Sequence, residues 1–504
     1  MKQQLLLPIQ QERKNNKRLI NGTYQSKKYI AMNETFLFTD KLKKNLLIMM
    51  GIGLFGMVCV FFAYPENSHA RFWSNILANT YYFTGIGLFG LFAVAAGQIA
   101  YGHWQTLEKR IFISLSAFTR IGGFLLVAII ILGLLKVHNL YAPVTKILDA
   151  KPVLPIYTTK VIYFAPAFWI GRVIAYATLW FFFSRWMDNF FARTDQTNPK
   201  VYKRSKLLCA AFVVTFALTE SAISWDVIMS LDPGWYSTLF GWYNFASYGC
   251  AAWAMTILLV LYLKSKGYIE RINENHIHDL GKLLFGFSIF WTYLWFDQFM
   301  LQWFANIPDE TGFWVKRFDV SYFTVTIFLS LIINFVFPLL FLMTKGAKRN
   351  FKMIGFSAAL LIFGHYIDFF NFTFVEANWN KAALEAKEKN KEEAIKNSEN
   401  VVLYAQATEK NGGVSDAAPA TENKESVTAE VASVAHAPKG EGEMEPETKP
   451  VTNFASIGLG EALIFIGFLG AFLYLFFRNL AKRPIIPEDD PYLKENERLV
   501  VTYA

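Results

Sequence analysis

The side chains of this sequence that could do chemistry are ionisable groups set inside long apolar runs. In "PAFWIGRVIAYATLW" Arg172 stands about halfway along one run, and in "TFALTESAISWD" Glu220 stands about halfway along the next, with Asp226 near its end. "HIHDLGKLLFGFSIFWTYLWFDQF" carries His278, Asp279 and Lys282 at its start and Asp297 near its finish. "FGHYIDFFNF" sets His365 and Asp368 three residues apart, on one face of a helix. Arg120 interrupts a further run. A charge at membrane depth costs several kcal/mol by insertion scales, so each such group needs a partner or a purpose. Two chemistries fit these types. One is the structural ion pair, for which matched depth suggests Arg172 with Glu220, while Arg120 either pairs with an acid or snorkels. The other is proton transfer, to which Glu220, Asp226, Asp297 and the His365–Asp368 pair are suited. Asp279 and Asp297 are separated by five helical turns, which places Asp279, Lys282, Tyr293 and Asp297 on one stripe. If that stripe faces a bundle interior, it forms part of a discontinuous proton path. The competing reading of His276, His278 and Asp279 is an ordinary solvated helix start.

The elements that must position these groups are membrane spans. The chain has 504 residues, of which 54% are hydrophobic, 17% aromatic and only 18% charged. Runs of roughly 20 apolar residues cross a bilayer core, and ten are read here: about 45–64, 76–100, 112–135, 161–183, 207–229, 242–263, 281–304, 322–343, 352–374 and 455–477. Pro166 and Pro338 interrupt two of them. Lysine and arginine collect in alternate loops and in the first 44 residues. That bias puts both termini in the cytoplasm and explains the net charge of +9 without nucleic acid. The domain reading is therefore a basic cytoplasmic tail over 1–44, spans one to nine over 45–376, a charged low-complexity loop over 377–450 on the periplasmic side, span ten over 451–480, and a second cytoplasmic tail over 481–504. The 377–450 loop holds 14 acidic and 9 basic residues, too polar to build a core of its own.

The stretch "WDVIMSLDPGWYSTLFGWYNF" (225–245) lies between spans five and six. Asp232-Pro233-Gly234 supplies a turn, and Trp225, Trp235, Tyr236, Trp242 and Tyr243 read as an interfacial aromatic belt. Asp226 lies about a turn further in, on a stripe with Thr215 and Thr219, as the outer end of a proton route. Cys59, Cys209 and Cys250 form no CxxC, so the chain carries no self-contained iron–sulfur or c-type haem motif. A single histidine deep in a span makes a poor metal or bis-histidine haem site.

"WDVIMSLDPGWYSTLFGWYNFASYG" (225–249) resembles a signature of the ActF membrane subunit of alternative complex III, and "HIHDLGKLLFGFSIFWTYLWFDQFMLQWFANIPDET" (276–311) resembles the same subunit closely. That subunit belongs to the NrfD/polysulfide-reductase membrane-subunit family. The motif likeness covers about 200–311, and the hydropathy pattern extends it over most of the chain. It implies an all-α polytopic fold of ten transmembrane helices, with spans two to five and six to nine as two four-helix bundles and spans one and ten peripheral. It implies membership in a quinol-oxidising, cytochrome-reducing complex of the bacterial inner membrane. The expected partners are a sister subunit of the ActC type, an iron–sulfur subunit, c-type cytochrome subunits and a terminal oxidase. Haem c and iron–sulfur clusters are expected on those partners, and menaquinone or another quinol nearby. The matching motifs contain Asp226, His278, Asp279, Lys282 and Asp297. Arg120, Arg172, Glu220, His365 and Asp368 rest on the residue argument alone. Two other functions compete: a purely structural anchor for cytochromes and the quinol-binding subunit, and a secondary transporter, against which the lack of paired broken-helix motifs counts.

Overall fold

The computed structural model describes residues 35–150, 157–193, 197–318, 321–378, 458–487 and 490–497. The chain separates into two units, Met1–Ala377 with Ala455–Ala504, and Asn378–Phe454. Apart from Asn378, the second unit lies outside the described residues, as do residues 379–450 of the loop assigned above and most of the first 44 residues.

The described residues are helical. Among the described residues nine helices are long and apolar enough to cross a membrane, so the chain is a multi-pass membrane protein. In chain order the helices are α1 (Asp40–Ala63), α2 (Glu66–Ile99), α3 (Lys109–Leu134), the short α4 (Ala142–Asp149), α5 (Pro166–Arg193), α6 (Pro199–Val227), α7 (Leu239–Ser265), α8 (Glu274–Ala305), the short α9 (Pro308–Phe318), α10 (Phe323–Phe341), α11 (Phe351–Asn378), α12 (Leu459–Leu480) and the short α13 (Leu493–Glu497). Of the ten expected spans, the seventh, α8, falls outside the nine. It is 32 residues long, but its Trp, Tyr, Asp and Gln residues lower its apolar content.

Loop contacts define two ends. At the proximal end, where α1 begins, the N–H of Leu37 meets the Tyr268 hydroxyl, Asn496 bonds Trp104, and His276 Nε2 lies 3.0 Å from the Asn496 carbonyl. At the distal end the Tyr141 hydroxyl donates to the Val227 carbonyl, and Trp235 stacks on Phe313 with ring centroids 3.9 Å apart. The first residues of α8 therefore sit at the proximal end, and the segment that follows it sits at the distal one.

Local sequence sets the helix ends. Asn198 caps α6, with Pro199 in the first turn where no N–H is needed. Asn273 caps α8, and His276 completes a capping box, so His276 is an end-capping residue. Pro166 opens α5 instead of kinking a span. Pro338 does disturb its helix. Lacking an N–H, it leaves the Asn334 carbonyl without its helical donor. A π-helical turn covers Ile332–Val336, and the Ser288 hydroxyl of α8 donates to that carbonyl instead.

α2 packs on α3, α6 and α7, α3 on α5, α5 on α6, and α7 on α8. α1 and α12 pack on each other while α1 presents side chains such as Phe62, 76% exposed, to the outside. Their contact depends on Gly53 and Gly467: a Cβ built on Gly53 would lie 2.2 Å from the Gly467 Cα. Small residues let backbones approach in this way where no hydrophobic force separates helix from lipid. Gly53→Val is therefore expected to cost about 1–3 kcal/mol by overpacking. Gly51→Ala, which meets nothing within 4 Å, should be neutral. Thermal unfolding of the two variants in detergent compares them directly, and equal midpoints would contradict the packing account.

Candidate functional site

The buried ionisable groups fall into three kinds. The first kind is paired. Arg172 of α5 forms a bidentate contact with Asp226 of α6, Nε to Oδ2 at 2.9 Å and an Nη to Oδ1 at 2.5 Å, and its guanidinium lies over the Tyr163 ring. This corrects the expected Arg172–Glu220 pair. Matching depth ignored rotational phase: six residues along a helix turn the direction by about 240°. Asp226 and Thr219 face α5, where Trp180 donates to the Thr219 hydroxyl, so Glu220 faces elsewhere. Helical side chains also lean toward their own N-terminus, which carries Arg172 toward the distal end. Asp226 is fully buried, so it is the inner half of an ion pair and not a solvated outlet.

Arg120 finds the acid partner allowed for it: it bonds Asp188 at 2.9 Å, and Ser184 through Nε at 2.9 Å. Asp188 also pairs with Arg110. Arg71 of α2 donates to Glu461 of α12 at 2.6 Å, both almost fully buried. At the distal end Lys316 joins Asp232 and Glu376, and Arg317 joins Glu376. Burial pulls Lys316 down, but Glu376 and Asp232 outweigh it and hold Lys316 above the usual lysine range. Asp232 keeps its turn role through the Gly234 N–H at 3.2 Å and adds this charge role. The aromatic belt divides in two. Tyr236 and Trp242 are exposed, whereas Trp235 and Tyr243 are buried in the core.

The expected interior stripe on α8 is the second correction. Asp279 bonds Lys282 at 2.7 Å and lies 3.5 Å from His278. Lys282 is half exposed and Tyr293 is 60% exposed. Asp297 is half-buried. Lys282 and Tyr293 therefore face outward, whereas Asp279, like His276 and His278, is buried at the proximal end, so the four do not form one interior stripe and the helix start is not a solvated one. The interior face instead carries Ser288, Trp291, Gln298 and Gln302.

The second kind is a bridged set between α7, α8 and α11. His365 and Asp368 do not touch directly; Ser247 connects them. Its hydroxyl lies 3.0 Å from His365 Nδ1 and donates to Asp368 Oδ2 at 2.8 Å. Asp368 also accepts from the Tyr243 hydroxyl at 2.5 Å and from Trp291 Nε1 at 3.0 Å. A hydroxyl has one proton. With Asp368 as the carboxylate, Ser247 gives this proton to Asp368, and His365 Nδ1 is then the donor to Ser247. Nε2 then holds a lone pair, fully buried and without a hydrogen-bond partner. Asp368 borders a cleft of about 20 Å3, shared with Gln298, Asn371 and Arg317, which has room for one water.

The third kind is buried acid without a cation. Glu220 has one carboxyl oxygen unpartnered, and the other accepts from Ser221 at 3.3 Å. The hydroxyls of Tyr81 and Tyr248 lie near it, also buried and unpartnered. Tyr248 approaches Glu220 without completing hydrogen-bond geometry. Glu108, just before α3 at the proximal end, has both oxygens buried and unpartnered. Burial, with Asp279 adding repulsion, pushes it up to about 8 against the opposing pull of its own amide. A carboxyl raised this way stays protonated in the fold while the unfolded chain ionises. Stability should then fall from about pH 4.5 to about 8, by up to about 1.4 kcal/mol per pH unit, and level off above. Glu108→Gln should flatten that decline in a series of thermal midpoints against pH, and an unchanged slope would contradict the assignment.

Sequence reading missed Ser247, Trp291, Glu108, Arg71, Glu461 and Asp188, and placed Tyr243 in the interfacial belt. Arg71, Glu461 and Asp188 sit toward the ends of apolar runs, where charges look solvated. The hydroxyls and indoles carry no charge to draw notice. No hydrogen bond or ion pair links Glu220 to the His365–Ser247–Asp368 set. Among the described residues no three His, Cys, Asp or Glu side chains converge as a metal site. No family model matches the chain, and a search of curated proteins gives no match either.

Proposed function

We propose that this chain is a membrane subunit of a quinol-oxidising, cytochrome-reducing respiratory complex of the alternative complex III type, and that it contributes a proton relay. The subunit assignment rests on the motif resemblance. It implies an ActC-type sister subunit, iron–sulfur and cytochrome c partners, a terminal oxidase, and an inner-membrane location with both termini cytoplasmic. Ten crossings are supported by α8 having its first residues at one end and its following segment at the other, and the two bundles, spans two to five and six to nine, rest on the resemblance. In that reading the proximal end is cytoplasmic and the distal end periplasmic.

The observation that carries the relay is the His365–Ser247–Asp368 chain with a free lone pair on His365 Nε2. A proton arriving at Nε2 makes an imidazolium. Its Nδ1 proton passes to the Ser247 oxygen as the Ser247 proton passes to Asp368. One proton thereby moves about one helical turn toward the distal end, where Asp368 meets the small cleft. Each transfer follows an existing hydrogen bond, the geometric requirement for such a step.

Ser247→Ala in the intact complex tests this, because it keeps both titratable groups and removes the bridge. Quinol oxidation coupled to proton release should fall at least tenfold in proton yield, with assembly intact. Full proton yield in that variant would remove the relay.

A second reading, a structural anchor with no quinone or proton role, is favoured by one observation: Asp188, Asp226, Glu376 and Glu461 are each matched by a cation. In that reading the same variant changes stability and leaves proton yield untouched.

A further inference from the structure

At the proximal end of α3, α5 and α12, cations outnumber acids among the described residues. Arg110 and Arg120 share the one carboxylate of Asp188. Arg110 also donates to the Asn479 carbonyl at 2.8 Å, which ties this pair to the last turn of α12. Around them stand Arg185, Arg478, Lys482 and Arg483, close enough that Arg483 acts on Arg110, and Arg185, Arg478 and Arg120 act on Lys482. Arg185, Arg478 and Lys482 are exposed, and none of these four has an acid partner among the described residues. Burial and the neighbouring guanidinium groups bring Lys482 below the usual lysine range. The cluster repels itself, and among the described residues the carboxylate that opposes this repulsion is Asp188, already shared by Arg110 and Arg120.

Directly beside it, further into the membrane, α1, α3 and α12 enclose an apolar groove of about 550 Å3, walled by Gly51, Leu54, Phe118, Ile121, Phe468 and Tyr474. Arg120 immediately precedes Ile121, and Arg478 follows Tyr474 by one helical turn. A charged rim and an apolar groove thus share the same two helices. Basic pockets between transmembrane helices accept phosphate head groups, and polybasic segments attract anionic lipid.

We propose that this corner is a binding site for an anionic phospholipid, with its phosphates among Arg185, Arg478 and Lys482 and one acyl chain in the α1–α3–α12 groove. A lipid with two phosphates matches the excess charge best. The site is independent of the respiratory reading, because it uses none of the relay residues.

The test is lipid binding to the purified, delipidated full chain, followed by native mass spectrometry, with cardiolipin, with phosphatidylcholine of the same acyl chains, and with inorganic phosphate as competitor. Cardiolipin should bind at least tenfold more tightly than phosphatidylcholine. The triple variant R185Q/R478Q/K482Q should lose that preference while its circular dichroism stays that of the parent. Gly51→Phe, which fills the groove from a position with open space around it, should weaken cardiolipin at least several-fold with the cations intact. Retained preference in the triple variant overturns the proposal. So does displacement of cardiolipin by millimolar phosphate together with a silent Gly51→Phe, which marks a bare anion site. A cluster neutralised by an acidic protein segment instead shows no cardiolipin preference in the isolated chain.

Discussion

Glu461→Ala should be among the most destabilising single substitutions in this protein, at about 3–5 kcal/mol. That is the typical cost of removing one member of a buried ion pair and stranding the other. Arg71 and Glu461 are each 1% exposed, so water cannot replace the lost partner. Glu461 does more than pair. Its second oxygen accepts the Gly458 N–H at 2.8 Å, which caps the first turn of α12, and Asn75 approaches the first at 3.4 Å. The residue thereby fastens α12 to α2. Glu461→Gln keeps the shape and much of the cap, so it should be milder. The double change Arg71→Met with Glu461→Leu removes both charges and should recover most of the loss, since well-packed apolar replacements of buried pairs are often neutral. Thermal midpoints of the purified protein in one detergent would rank the three. If the alanine variant unfolds with the parent, the pair is not holding the helices.

Asp226→Ala should cost a similar amount, again about 3–5 kcal/mol, by leaving the Arg172 guanidinium in the bundle without a carboxylate. The comparison with Glu220→Gln makes the result informative. Glu220 faces no cation, and one of its oxygens has no partner. Neutralising it removes a desolvated acid and should be neutral or mildly stabilising. Were Arg172 paired with Glu220, the order of the two effects would reverse. Denaturant or thermal unfolding of the two variants decides between these arrangements. The double variant Arg172→Met with Asp226→Leu should restore stability if the charge pair is the cause. Failure of that rescue would point to backbone distortion instead.

These results bear on function by separating residues that fasten helices from residues free to carry a proton. Asp188, Asp226, Glu376 and Glu461 belong to the first group by their partners. His365, bridged through Ser247 to Asp368, and the cation-free Glu220 and Glu108 belong to the second.

The sequence by itself determined that the chain is a polytopic helical membrane protein. Apolar run length needs no tertiary information, because a bilayer imposes a fixed thickness. It also marked Arg120, Arg172, Glu220, Asp226, His365 and Asp368 as groups requiring an explanation, because a charge in hydrocarbon is costly whatever surrounds it. Partners were another matter. Depth along a span can be counted, but the face a residue presents depends on how each helix is rotated against its neighbours. That rotation gave Arg172 to Asp226 in place of Glu220, and turned Lys282 and Tyr293 outward while Asp279 stayed buried. Only the tertiary structure could bring Ser247 between His365 and Asp368, or Glu461 across some 390 positions of chain to Arg71. Such contacts are set by helices packing side by side, and no local pattern in the sequence encodes them.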